Sequence, residues 1–404
     1  MGAARRPRIV VAGAGVAGSL IVSGLRERTD CEVIGLERVG ADDHSEAGTG
    51  LNIGPNAMKC LGLHLPREAR AMLANSLPWA HWSIALTSGE RLMDLPLAEV
   101  ADNAGIRIRW ASLYALLRKP SAGLITYNAE IIACGRDADG AHVAWTDRRT
   151  GARHEIGDID LLIAADGRYS LIRNFVLGGP EVPLLLNVCL FRLLFPAGPD
   201  CPIDDYGQWF NGPNRLLAFR VPGGLVYCAG SFPIPPGSGT PEAMKHPDFL
   251  KQAYRPARGA PSREAGTLIE AILRHHASLH WARLQEGGVR FGETPGMLLT
   301  GDAAHPMVPT LGQGASQACE DACVVVDEIR CALDAGEPLA LVSHRVVERR
   351  AARACFVVDF SREATDTMLA DADPVAGTRR KTEPPFRRKL MRLYRDVPAP
   401  RAFL

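Results

Sequence analysis

The chain has 404 residues, enough for two or three domains at about 150 residues each. Hydrophobic residues make up 47% and charged residues 23%, a globular composition that excludes a disordered or fibrous protein. Lys and Arg number 46 against 45 Asp and Glu, so no overall basic field exists to hold nucleic acid.

Residues 8–12, RIVVA, predict a short strand buried on both faces. The four apolar residues, Ile9 to Ala12, are too few for a secretory h-region. They run into Gly13-Ala14-Gly15-Val16-Ala17-Gly18, a helical pattern follows, and a second strand at 32–36 ends on Glu37. Residues 51–75 read as loop and then helix, with Pro55 and Asn56 at the helix start. Residues 82–86 and 91–95 predict strands joined by Ser88-Gly89, and 113–117 lie in a helix. Strands are expected at 125–134 and 142–145, with Asp139-Gly140 as a turn, and a buried strand at 159–164 stops at Asp166-Gly167. From 180 to about 280 Pro and Gly punctuate short strands, among them 188–195, 216–220 and 225–228, as in a mostly β insertion. Residues 221–241 carry five Pro and five Gly, so this uncharged run is no membrane helix. The first pattern returns at 297–302, followed by helices at about 314–333 and 342–369. The tail from Arg379 has nine Lys and Arg against two acids; it reads as a solvated end or a homodimer contact.

The expected fold is α/β: a discontinuous Rossmann-type unit (1–80, 100–178, 285–340) interleaved with a β-rich substrate unit (81–99, 179–284), then a helical segment (341–404). Ten Cys without CxxC pairs suggest reduced thiols in a cytoplasm.

Three motifs carry chemistry. The glycine motif follows a strand, opens a helix and has an acid ending the next strand, which together make a dinucleotide fingerprint. Gly13 permits the tight turn, Gly15 lets a pyrophosphate approach and Gly18 allows close helix packing. The helix N-terminus supplies N–H donors to phosphate, and Glu37 would accept hydrogen bonds from ribose hydroxyls. Asp166-Gly167-Arg168, with Ser170 and Arg173 beyond, reads by itself as a turn. Gly301-Asp302-Ala303-Ala304-His305-Pro306 delivers an acid from a strand. It continues through Pro309 to Gly312-Gln313-Gly314-Ala315-Ser316, where a helix begins whose N-terminus can face partial negative charge on a bound ring.

In this order and spacing, GAGVAG, DGRYSLIR and GDAAHPMVPTLGQG resemble the FAD-dependent aromatic hydroxylases, the single-component flavoprotein monooxygenases like para-hydroxybenzoate hydroxylase. The resemblance spans roughly residues 8–360. It implies that Asp302 binds the ribityl chain of FAD. It also implies that N–H groups near Gly314, Ala315 and Ser316, beside Gly312, meet the flavin pyrimidine edge. Pro309 would line the site beside the flavin, and Asp166 would serve FAD placement and NAD(P)H use. The implied reaction is hydroxylation of an electron-rich aromatic or N-heteroaromatic ring with NAD(P)H and O2 through a C4a-hydroperoxyflavin.

Two departures stand out. Trp110 occupies the position where the family often carries an FAD-binding Arg, so Arg109, one residue early, would reach the cofactor from a shifted register or another group would. Ahead of Gly48-Thr49-Gly50-Leu51-Asn52-Ile53, which resembles the mobile flavin loop, His44 and Glu46 stand where a basic residue is often found. 2,6-Dihydroxypyridine hydroxylase shares both kinds of departure, which points toward a hydroxylated N-heterocycle.

Strand alternation places Val188, Leu190, Arg192 and Leu194 on one face, where Arg192 could recognise a carboxylate or phenolate. Arg220 and Tyr227 are further candidates, and an activating base could be Tyr206, Tyr227 or a pocket His. A larger polyketide- or quinone-type ring remains open, as does a non-catalytic FAD-fold binding protein. A halogenase lacks its Trp-x-Trp-x-Ile-Pro run here. No metal site is expected: His276 and His280 lack a third ligand, and Cys319 and Cys323 read as core. His305 reads as packing.

Overall fold

The computed structural model describes residues 5–43, 49–237, 239–292 and 294–403. Five parallel strands lie in the order Met297–Leu299, Leu161–Ala164, Arg8–Ala12, Glu32–Glu37, Ile125–Tyr127. Ile9, Val10, Val11, Leu162, Ile163 and Leu298 are fully buried, which is what parallel strands covered on both faces require. Val16–Leu25 and Gly314–Ala335 pack into the same core, as does an antiparallel meander of Ala129–Arg136, Ala141–Asp147 and Arg153–Ile159.

Residues 125–134 are not one strand. Asn128 sits at φ 61, a left-handed conformation that Asn tolerates, and splits them into a parallel edge strand and the first strand of the meander. Residues 50–53, expected as loop, form the strand Gly50–Ile53, paired with Gly105–Arg109, which also pairs with Leu77–Trp79. Pro66 divides the following helical stretch into Pro55–His64 and Pro66–Ala74.

The second large sheet has seven strands: His280–Glu286, Leu184–Pro196, Leu225–Pro233, Asn214–Val221, Tyr206–Asn211, His81–Leu86 and Arg91–Pro96. Side-chain parity gives it two faces. Cys189, Phe191, Leu193 and Phe195 enter one core with the helices Pro247–Tyr254 and Arg263–Arg274; Val188, Leu190 and Leu194 enter the opposite one. Those helices were missed in a region read as mostly β, although Ala265, Leu268, Ile269 and Ile272 repeat at helical spacing.

The second C-terminal helix ends at Glu363, short of the expected 369, and the basic tail folds as Pro374–Thr382 and Pro384–Arg395. Phe386, Leu390, Leu393 and Tyr394 bury one face of the last helix in the core that holds Trp79 and Trp82. Three of its cations pair within the chain, Arg387 with Glu99, Lys389 with Glu363 and Arg395 with Asp102, so the tail is no free solvated arm. Among the described residues no helix is long and apolar enough to cross a membrane, and no cluster of metal ligands occurs. His276 instead bonds the Lys245 carbonyl at 2.6 Å. All ten cysteines are free.

Candidate functional site

A cavity of about 700 Å³ opens where the C-terminal ends of the parallel strands meet the seven-stranded sheet, the position such folds use for ligands. Gly15, Val16, Ala17, Asp302, Gly314 and Ala315 line it on the parallel-sheet side; Leu190, Arg192, Tyr206, Arg215, Leu217 and Tyr227 line it on the other. Pro309, Gly312, Leu51 and Asn52 lie on its wall as well.

The three motif glycines differ in what surrounds them. Gly13 has φ 91, and a Cβ there would run into the Ala165 carbonyl; a Cβ on Gly18 would run into the Gly13 carbonyl. A Cβ on Gly15 would meet only the Tyr114 hydroxyl, at 4.0 Å, so this glycine leaves its backbone open to the cavity. The helix Val16–Leu25 starts here, and its first N–H groups have no intrahelical acceptor. Glu37 does not line the cavity. Its carboxylate accepts the Ala14 N–H at 2.6 Å and the Val39 N–H at 3.1 Å, which shapes the glycine turn.

Arg109, at the end of its strand opposite Gly50, is not among the residues that line the cavity, and its Nε is buried without a partner. A second arginine, two helical turns on, stands nearer the glycine turn. Trp110, Tyr114 and Arg118 share one helix face; the first two line the cavity. Arg118 Nε donates to the Ala14 carbonyl at 2.9 Å, its guanidinium approaches Glu37 to 3.5 Å, and one buried terminal nitrogen has no partner. Sequence reasoning missed Arg118 because it searched the motif register; the i, i+4, i+8 spacing was the available signal.

Asp302 sits on the turn Gly301–Ala303 and faces the cavity, with Arg168 at 3.9 Å. The turn is held from behind. Asp321 Oδ2 accepts the Gly301 N–H at 2.7 Å and meets His305 Nε2 at 2.7 Å. Burial pushes the Asp321 carboxyl up, but His305 and Arg350 outweigh it and hold it down at about 2. His305 is thus a structural residue, as its sequence context suggested. Asp166 turns from the cavity toward the helix Leu171–Val176; burial pushes its carboxyl up to about 6, against hydrogen bonds from Ser170 and the helix N–H groups. The Ser316 hydroxyl accepts the Gly54 N–H at 2.9 Å, so its side chain locks two loops together. His44, Glu46 and Gly48 lie outside the described residues.

On the sheet side, Arg192 and Tyr227 line the cavity as expected. Arg220 does not. It has the opposite parity to Arg215, Leu217 and Phe219, and its guanidinium bonds the carbonyls of Ile203 (2.6 Å) and Cys201 (2.9 Å). Arg215 is the residue missed: it is 3% exposed, and its Nε is buried without a partner. Burial raises both Tyr206 and Tyr227 phenols, outweighing Arg215 and Arg192. Both therefore stay protonated at neutral pH and present hydroxyl groups to the cavity. No His lines the cavity among the described residues.

These residues fit FAD. An open glycine turn with free N–H groups and the unpartnered Arg118 nitrogen suits a pyrophosphate, Asp302 suits a polyol, and a second helix N-terminus at Gly314 suits the polar edge of a ring. No protein-family model matches the chain. It is 31% identical over 361 residues to 3-amino-4-hydroxybenzoate 2-monooxygenase of Streptomyces platensis, covering 85% of this chain and 87% of that one. It is 25% identical over 335 residues to 6-hydroxynicotinate 3-monooxygenase of Bordetella bronchiseptica, covering 79% and 82%. The crystal structure of Klebsiella pneumoniae HpxO complexed with FAD and uric acid superposes with a TM-score of 0.80 at 21% identity over 97% of each chain. The chain belongs to the FAD-dependent aromatic monooxygenases. It is an enzyme that hydroxylates aromatic or N-heteroaromatic small molecules with FAD as cofactor, and NAD(P)H is the co-substrate typical of its family.

Were Asp302 to hold the ribityl chain, Asp302→Ala would remove one charge-assisted hydrogen bond, worth roughly 1.5–3 kcal/mol. FAD should bind about 10–150-fold more weakly in a fluorescence titration. An unchanged dissociation constant would reject the ribityl role.

Proposed function

We propose that the ring hydroxylated is small and anionic: a hydroxyl- or amino-substituted benzoate or pyridine carboxylate. The observation that carries this is Arg215, a cation buried in the cavity wall whose neighbours Tyr206, Tyr227 and Tyr254 are neutral phenols. A buried, unpaired charge is costly unless a ligand neutralises it. Arg192 adds a second cation on the same face, and the one acid among the described lining residues, Asp302, is on the cofactor side. The relatives named above act on an aminohydroxybenzoate and a hydroxynicotinate, which supports the same class. A larger polyketide or quinone ring is disfavoured because about 700 Å³ must also admit part of the cofactor.

In this reading reduced FAD supplies the activation of O2. The chain's residues do the rest. Arg215 and Arg192 hold the carboxylate, Tyr206 and Tyr227 donate to ring substituents, and Leu190, Leu217 and Pro309 keep water from the reacting face. Glu37 and Arg118 hold the glycine turn on the pyrophosphate, and Arg109, Arg220 and Asp166 act outside the cavity.

The test is a panel of hydroxylated benzoates and pyridine carboxylates, each beside its counterpart without the carboxylate. NAD(P)H oxidation and product formation are measured together. Carboxylates should stimulate oxidation with near-stoichiometric product; equal or better turnover of the uncharged counterparts overturns the proposal.

A further inference from the structure

Asn52 has a buried amide nitrogen with no acceptor among the described residues. The side chain is 7% exposed and lines the cavity, and its Nδ2 has no hydrogen-bond partner. It is not free to look elsewhere. Its strand pairs with Gly105–Arg109, with Asn52 opposite Arg107, and two residues on the Gly54 N–H is tied to Ser316. The amide lies flat against Gly312: a Cβ there would come within 2.6 Å of Nδ2 and 2.9 Å of Oδ1. Gly312 has φ 65 and ends the turn Pro309–Leu311, just before the helix that starts at Gly314. A buried amide without a partner is costly, and a half-turn of its terminal torsion exchanges donor for acceptor.

We propose that Asn52 is a positioning residue for the flavin ring, its amide donating to a carbonyl on the ring's pyrimidine edge. This rests on the reading of the cavity as an FAD site. The amide stands beside Gly312, two residues before the helix that begins at Gly314, the site's second helix N-terminus. A neutral donor there stabilises the extra negative charge of the reduced ring more than the oxidised one. Asn52 thereby biases the cofactor toward reduction as well as holding it in place.

The experiment uses FAD-loaded protein with excess FAD and measures the two-electron midpoint potential of wild type, Asn52→Ala and Asn52→Asp, with melting of the apoproteins alongside. Loss of the donor should reduce the preference for reduced over oxidised FAD by about tenfold, a potential about 30 mV lower. Asn52→Asp, which keeps the size and brings a negative charge, should lower it further. Apoprotein melting should change little in Asn52→Asp. An unchanged potential in both variants overturns the proposal. So does a changed substrate KM with an unchanged potential, which would place the amide on the substrate, and so does a fall in apoprotein melting alone, which would make Asn52 a packing residue for Gly312. A wild-type protein that takes up no FAD would instead remove the cofactor reading itself.

Discussion

Arg350→Ala should destabilise the folded protein by roughly 3–5 kcal/mol, the usual loss when one member of a buried ion network is removed. Arg350 is fully buried. It donates to Asp321 at 2.8 Å, to Glu320 at 2.7 Å and to the Gln317 side-chain Oε1 at 2.7 Å. Arg353, Asn56 and the Gln317 Nε2 also donate to Glu320. Alanine would leave two buried carboxylates sharing Arg353 and His305. The effect should also depend on pH in a defined direction. Asp321 is held at about 2, below its ordinary value near 3.8, so its pairing contributes fully above pH ~4 and is lost as pH falls from there toward 2. Without Arg350 that carboxyl rises, and acid unfolding should begin at higher pH. Urea midpoints across pH 3–7 check both points, and Arg350→Lys, which keeps the charge but not the forked geometry, should fall between. Asp321 also holds the Gly301 N–H, so the alanine variant should lose FAD more readily, though Arg350 is absent from the cavity wall.

The second large effect is expected at Arg215. Arg215→Gln keeps a polar side chain of similar reach but removes the charge. For a carboxylate substrate kcat/KM should fall about 10–150-fold, the equivalent of about 1.5–3 kcal/mol. The fall should appear chiefly in KM, since the carboxylate is bound equally before and during reaction. The matching uncharged ring should change by less than about threefold. The apoprotein should meanwhile melt higher. Arg215 is buried with its protonated form disfavoured by burial, so replacing it relieves a cost that only the ligand offsets. A variant that melts lower and loses activity on charged and uncharged rings alike would mean that Arg215 supports the sheet instead.

What the sequence disclosed follows from how local each signal is. The glycine turn, Asp302 and the start of the helix at Gly314 are set by contiguous residues whose steric demands can be read one by one. Gly13 and Gly18 do what their spacing predicts, through contacts with Ala165 and Gly13 itself. The sheet side is different. Arg215 and Arg220 sit in one strand at comparable hydropathy, and only parity decides which enters the cavity; Leu217 and Phe219 carried that information. Arg109 was named and Arg118 was not, because the family register was followed and the helix face was not. Tyr206 lies on a strand whose neighbour is His81–Leu86, more than a hundred residues earlier, and no local pattern reveals such a pairing. The helices at Pro247–Tyr254 and Arg263–Arg274 were legible by period but masked by surrounding Pro and Gly.

The order of the parallel strands has a consequence for biosynthesis. Arg8–Ala12, central in its sheet, gains one flanking strand within thirty residues, but the other, Leu161–Ala164, emerges about 150 residues later, and that strand in turn waits for Met297–Leu299. Until then a nascent chain displays an apolar strand edge able to pair with another copy. Fragments that stop between the second and third of these strands should accumulate as insoluble material when expressed alone, whereas the intact chain caps its own edge.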